Sequence, residues 1–559
     1  MSDNVSTSMN LLSPVFLRSL AISFAVAAVL LAASGLAGIR KGVLFPPPGE
    51  STSIQPKDLG HIGEFSKWAP IEIELSGPNT NSEATPNPFS MLVDVSFRDP
   101  KGRTVRVPAF YDGDGKGKPA GQIWKVRFSA DEAGKWSFSS SSFNQRLNGY
   151  IGTFSVSGNA PEGKGFYRWG RLEYTGTFQN GIRYLKFRDG PYWLKAGCDD
   201  PENFLGRARH FDTLAERFEA IDYLAEKGVN SIYIMTHNLG GDDKDVWPWL
   251  GSSAEIAMTN GGPDARFDIP KMHEWRQLFE HMQKAGVVPY IILEDDSAWK
   301  DYDHPRYYRE IVARYGDLPA VLFNLGEEHN ENYTLKEALG FMQQLAHIDP
   351  FGHPRGIHNV NHPTVQYVEA RHIDFTSIQT KPETPYSHNK LTTNWLDLCT
   401  ALHRRALMVG VDEGRPEEKR EEWWKTYMGG GVWEVHVIPP YERPLSAWET
   451  VWTELGGTRT FMESLPFWEM NSYNSLVRSG QAFCLAKPPG IYALYLPEGG
   501  EIVVDLHPDF DYQVSWWNPA NGTNGEFQHE SSISGGRQAI RAPGAGDWAL
   551  RIETVHGIR

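Results

Sequence analysis

From Phe166 to Leu465 the chain repeats one unit: a short apolar run, a loop, and a helical pattern with apolar residues on one side. "YWLKAG" (192–197) precedes "TLAERFEAIDYLAEKG", "SIYIMTHN" (231–238) precedes "KMHEWRQLFEHMQKAG", and "VPYIILEDD" (288–296) precedes "PRYYREIVARYG". "PAVLFNLGEE" (319–328), "HPRGIHNV" (353–360), "IDFTSIQT" (373–380), "ALMVGVDEG" (406–414) and "GGVWEVHV" (430–437) continue the series. Short apolar runs separated by helices predict parallel strands, since a parallel neighbour is reached only through a crossover. Eight such runs predict an α/β fold, a (β/α)8 TIM barrel over residues 161–468, with its chemistry at the C-terminal ends of the strands.

The flanks follow a different rhythm. Residues 65–160 carry "APIEIELSG", "MLVDVSFRDP" and "GTFSVSG", whose period of two, broken by Gly, Pro and Asp, predicts an antiparallel β-sandwich as an accessory domain. Residues 469–559, with "GIYALYLPEGGEIVVDL", "DYQVSWWNP" and "DWALRI", predict a second one. Within the first, "DGDGKG" (112–117) imitates a calcium loop, but Lys116 stands at the fifth ligand position and Ile123 at the twelfth, so a hairpin turn is expected.

Ahead of the sandwiches lie a tail (1–18), an uncharged stretch (19–39) and a Pro/Ser-rich linker (40–64). Twenty-one residues without charge can span a bilayer core at ~1.5 Å per residue, so one N-terminal hydrophobic helix is expected, as a transmembrane anchor or a signal peptide. The protein is therefore expected to be membrane-anchored or secreted, with its barrel periplasmic or extracellular.

A net charge of −15 with no basic block argues against nucleic acid as a partner. Three widely spaced cysteines, Cys198, Cys399 and Cys484, make neither a disulfide framework nor a zinc motif. "HEWRQ" (273–277) has Gln277 where a zinc helix needs its second His, so no metal and no cofactor are expected. The 19 Trp, 22 Tyr and 28 Phe fill cores for the most part, yet aromatic faces also serve as platforms for sugar rings.

Polar residues gather where the candidate strands end: Asp199 and Asp200 after the first, His237 and Asn238 after the second, Glu294, Asp295 and Asp296 after the third. The fourth gives Glu327 and Glu328, the fifth His358 and Asn359, the seventh Asp412 and Glu413, the eighth Trp433 and Glu434. Two carboxylates facing each other across a barrel mouth meet the needs of glycosidic cleavage, an acid for the leaving oxygen and a nucleophile or base at the anomeric carbon. The aspartates could instead cap helices, the histidines could hydrogen-bond in the wall, and Trp433 could be packing.

"FNLGEEHN" at a fourth strand and "ALMVGVDEG" at a seventh resemble the clan-A glycoside hydrolases. "AFYDGDG" before the barrel, with "WWNP" and "APGAGDWAL" after it, is similar to a bacterial group of them that carries an N-terminal β-sandwich of unknown function and a C-terminal collagen-binding-like β-sandwich. The resemblance implies a retaining enzyme acting on an extracellular or periplasmic polysaccharide or oligosaccharide, with Glu328 as acid/base, Glu413 as nucleophile and Trp433 stacking on sugar. Glu327 stands where the clan has Asn, and a shift of one residue would make Glu327 the acid. Asp199, His237, Asn238, Asp295, His358 and Asn359 complete the expected substrate-binding set. Two alternatives remain open: a non-catalytic carbohydrate-binding or scaffold protein on a degenerate barrel, and a barrel hydrolase of another bond such as an amide.

Overall fold

The computed structural model describes residues 57–158, 165–175, 183–199, 204–206, 211, 213–239, 246–294, 299–360, 370–379, 388–401, 408–412, 420–436 and 444–555. The expected hydrophobic helix at 19–39 lies outside these residues. Among the described residues no helix is long and apolar enough to cross a membrane.

Seven strands form the N-terminal sheet: Lys57–Ser66, Pro70–Asn81, Val93–Arg98, Thr104–Tyr111, Ala120–Ser129, Gly134–Ser142 and Tyr150–Ser157. Alternation works as expected in Pro70–Leu75, where Ile71, Ile73 and Leu75 are buried between exposed neighbours. Inside, Phe97 stacks on Phe128 at 4.2 Å, and Trp136 lies parallel to Phe154 at 6.0 Å. Most of the first strand falls within the stretch expected to be linker (40–64). "KDLGHIGEFS" has no clear alternation and is recruited by parallel pairing with Tyr150–Ser157, a long-range contact that a local pattern does not reveal. The Asp112–Gly117 segment is a turn, as expected: Asp114 accepts the amides of Lys116 and Lys118 at 2.8 and 3.0 Å.

Buried ion pairs help join this sheet to the next layer. Arg309 and Arg314, on the helix His304–Tyr315, donate to Asp94 at 2.6 Å and Asp112 at 3.0 Å, and all four side chains are buried. The guanidinium of Arg314 also meets the Tyr111 carbonyl at 2.7 Å and Glu310 at 2.7 Å. Charges taken out of water at this depth persist only because nearly every donor finds an acceptor.

The central ladder is parallel throughout. Its strands are β1 (Ala196–Cys198), β2 (Ser231–Met235), β3 (Val288–Ile292), β4 (Leu322–Asn324), β5 (Arg355–Gly356), β6 (His358–Val360), β7 (Phe375–Gln379), β8 (Met408–Asp412) and β9 (Val432–Val435). The order is β5-β4-β3-β2-β1-β9-β8-β7-β6, and the two outermost segments are separated in the chain by Ile357 alone. The expected first strand, 192–197, divides: Tyr192–Trp193 pairs antiparallel with Leu185–Phe187, and the ladder begins only at Ala196. Helices follow with readable starts, including capping boxes Thr213/Glu216 and Thr334/Glu337 and the N-caps Asp268 and Asp303.

The C-terminal part is a seven-stranded sheet built on the long strand Glu501–Trp517. Its pairing with Gln528–Arg541 shifts between Leu506 and Asp511, and residues on both sides of that irregularity, Ile502, Val504, Tyr512 and Val514, share one core with Cys484, Leu494 and Leu550. Trp424 of the helix Arg420–Met428 stacks on Tyr495 at 5.1 Å, and Arg420 binds Asp547 at 2.9 Å, tying this sheet to the ladder's helices.

Candidate active site

A strand hydrogen-bonded on both sides keeps its side chains in two rows, and one row of this ladder is polar. Lys195, just before β1, forms a buried ion pair with Glu434 of β9. Its ammonium lies 4.1 Å from the centre of the Tyr290 ring on β3, and the Tyr290 hydroxyl accepts from Asn324 Nδ2 of β4 at 2.6 Å. On the same row the Tyr233 hydroxyl lies 3.2 Å from His358 Nδ1. His329 Nδ1 donates to the His358 carbonyl at 2.5 Å, which fixes its tautomer.

Three carboxylates stand where β3 and β4 run out. Glu294 is buried at 1 % exposure and accepts hydrogen bonds from the hydroxyls of Tyr302 and Tyr333, the latter at 2.8 Å. Burial, with the Glu294 charge beside it, raises the Tyr333 phenol far above its ordinary range, so this hydroxyl remains a donor. Glu327 is half-buried and its amide donates to the Glu294 carbonyl at 3.0 Å. Glu328 is also half-buried, with left-handed backbone (φ 40°, ψ 26°), and it opens the short turn His329–Glu331. A bulky residue in that region is strained, and such strain concentrates at functional loops. Gly326 sits in a tight place: a Cβ there would meet Glu294 Cγ at 3.0 Å and the Glu294 carbonyl at 3.1 Å, so Glu294 would have to give by a few tenths of an ångström.

Three histidines around the site stay neutral near pH 7: burial lowers His237, His304 and His329 to about 3, and the proximity of His304 adds to the effect at His237. His237 is fully buried among Trp249, Trp299 and Tyr302, with ring centres 4.9 to 5.5 Å away. It thus belongs to the wall beneath the site, with no surface open to a ligand.

Other expected residues distribute as follows. Asp199 is buried after β1, its amide donating to the Val435 carbonyl at 2.8 Å and Oδ2 3.9 Å from His436 Nδ1. Asn238 is buried and bridges to Val246 through its amide at 2.8 Å. Asn359 lies in β6. Trp433 is fully buried and edge-on to His388 at 5.3 Å, so it presents no open face; strand alternation turns Glu434, its neighbour, toward Lys195 instead. Asp295 and Glu413 lie outside the described residues. Lys195, Tyr290, Tyr302, Tyr333 and His329 were not among the expected set. Lys195 had a signal: a lone cation inside the apolar run "YWLKAG" must either leave the strand or find a buried partner.

A family model described as a domain of unknown function (DUF5060) matches residues 64–143, within the N-terminal sheet. No curated protein matches the sequence. Among solved structures, a provisionally assigned glycoside hydrolase from Bacteroides vulgatus ATCC 8482 is similar with a TM-score of 0.69 at 17% identity, over 88% of this chain and 100% of that one. A glycoside hydrolase family 5 protein from the same organism (TM-score 0.56, 13% identity, 70% of this chain and 95% of that one) and a further glycoside hydrolase (0.55, 14%, 70% and 98%) are also similar. At these identities the likeness establishes a shared fold.

Proposed function

We propose that the protein is a retaining glycoside hydrolase on a (β/α)8 barrel, in which β5 and β6 are one interrupted strand and the ladder closes into eight. The single observation that carries this reading is the gathering of Glu294, Glu327 and Glu328 at the C-terminal ends of β3 and β4, above a row of buried polar side chains. Glu328 is the acid that protonates the leaving oxygen, with Glu327 as the alternative one residue away. Glu413, directly after β8, is the nucleophile. Glu294, held by two phenols, fixes the loop that carries the acids. The likeness in fold to structures named as glycoside hydrolases supports the substrate class, a polysaccharide or oligosaccharide.

The hydrophobic stretch at 19–39 either anchors the chain in a membrane or directs its export, and the barrel works outside the cytoplasm. The test is turnover by purified residues 42–559 on aryl glycosides and a polysaccharide panel. Release of sugar that disappears in Glu328→Gln and Glu413→Ala supports the reading. Tight sugar binding without turnover on any substrate would favour a carbohydrate-binding protein on a degenerate barrel.

A further inference from the structure

At the other end of the ladder, where β1, β2 and β3 begin, lies an open groove of about 1210 Å³. Val229 and Asn230, directly before β2, and Ala285 and Gly286, before β3, form its floor. The five residues of β3 alone, lying between this floor and Glu294, span roughly 16 Å at ~3.3 Å per residue. The groove therefore cannot be part of the site described above.

Two features of its lining point to a ligand. Aromatic rings are presented at its rim: Tyr192 stacks on Trp468 at 4.8 Å, and Trp169 stands nearby, all three only partly buried. Cations accompany the rings. Arg168 lies 4.3 Å over Trp169, Lys186 lies 5.6 Å from the centre of Tyr192, and Lys284 reaches in from the end of the helix Ile269–Ala285. The groove's acids are already engaged, Asp222 with His281 at 2.8 Å and Glu463 with Arg459 at 3.0 Å. Among the described residues no carboxylate pairs with Arg168, Lys186 or Lys284. On a chain of net charge −15, three cations that pair with no described carboxylate, gathered in one concave, ring-lined surface, are an anion-binding arrangement.

We propose that this groove is a second carbohydrate-binding site, selective for a polysaccharide bearing carboxylate groups. Aromatic rings take the apolar faces of the sugars and the three cations take the charge. Concavity favours a glycan chain over a lipid surface, which needs a flat or protruding face. The inference concerns binding and stands whether or not the acids at the opposite end cleave a glycosidic bond.

Affinity electrophoresis of the full chain, kept dispersed with a non-ionic detergent, through gels containing polygalacturonate, alginate or neutral dextran tests it. Retardation is expected in the acidic gels and not in dextran. Arg168→Glu with Lys186→Glu should weaken it roughly tenfold, and Trp468→Ala should weaken it with all three cations intact. Unchanged circular dichroism and melting temperature exclude misfolding as the cause. Equal retardation by wild type and by the charge-reversed variant would overturn the proposal. So would variant-sensitive binding to anionic phosphatidylserine vesicles without any retardation by acidic glycans.

Discussion

The amide of Glu327 donates to the main-chain carbonyl of Glu294 at 3.0 Å, so the loop that leaves β4 is pinned to the end of β3. The Glu294 side chain is held in turn by Tyr302 and Tyr333. Acids placed this way are positioned by backbone and buried phenols, a more rigid support than a free loop gives.

The first consequence concerns the acid pair. Glu328→Gln is expected to abolish turnover of sugars with poor leaving groups, while activated aryl glycosides, which need little protonation, continue to be cleaved. Glu327→Gln should be milder. Steady-state rates on both substrate types check the ranking, and a reversed order transfers the acid's role to Glu327.

The proposed nucleophile gives a second test. Glu413→Ala is expected to be inactive, and azide should restore turnover by entering the vacated space, giving a glycosyl azide of inverted configuration. Carboxylates about 5–5.5 Å apart leave no room for a water and predict retention. Proton NMR of the first anomer released by the unaltered protein reads this out, and an inverted product would remove Glu413 from the nucleophile's role.

Gly326 offers a packing test. Gly326→Ala places a methyl against Glu294 Cγ and its carbonyl, at 3.0 and 3.1 Å, so Glu294 and the loop pinned to it are expected to shift by a few tenths of an ångström. Activity is expected to fall by an order of magnitude or more, because small misplacements of a catalytic group are felt strongly. The melting temperature should fall by a few degrees at most, and a crystal structure of the variant should find the Glu327 amide displaced from Glu294.

Lys195 and Glu434 are buried and mutually dependent. Lys195→Met leaves a carboxylate uncompensated and is expected to destabilise the protein by about 3–5 kcal/mol. Adding Glu434→Leu should recover much of that loss, since the second charge is then gone. Urea unfolding of the single and double variants decides it, and simple additivity would mean the pair is not coupled.

Stability should also respond to acid. His237, His304 and His329 remain neutral in the folded chain down to about pH 3, whereas unfolded histidines take up protons near pH 6.5. The unfolded state therefore binds more protons between these values, and stability present above about pH 6.5 is lost as pH falls toward 3. Asp349 and Glu422, depressed to about 2 despite burial by partners led by His353 and His388 respectively, extend the loss below pH 4. His237→Leu should flatten the slope between pH 6 and 4 by about one proton, measured by unfolding at a series of pH values.

Much of this architecture is legible in the sequence because it is set by local periodicity. Alternation in "PIEIEL" marks a strand with one buried face, and Thr213/Glu216 and Thr334/Glu337 announce helix starts through contacts three residues long. The acids of "NLGEE" are likewise put at a strand's end by the apolar run before them. Tertiary structure alone decided the rest. Lys57–Ser66 becomes a strand through a partner about ninety residues away, Lys195 is neutralised by a glutamate 239 positions later, and Arg314 is satisfied by Asp112, 202 positions earlier. Trp433, expected at the sugar, is instead buried against His388 while Glu434 turns to the polar row. The physical reason is common to these cases. Periodicity tells which side of an element avoids water, but a buried charge or an irregular strand is tolerable only if a particular partner arrives, and that partner is chosen by the packing of distant segments.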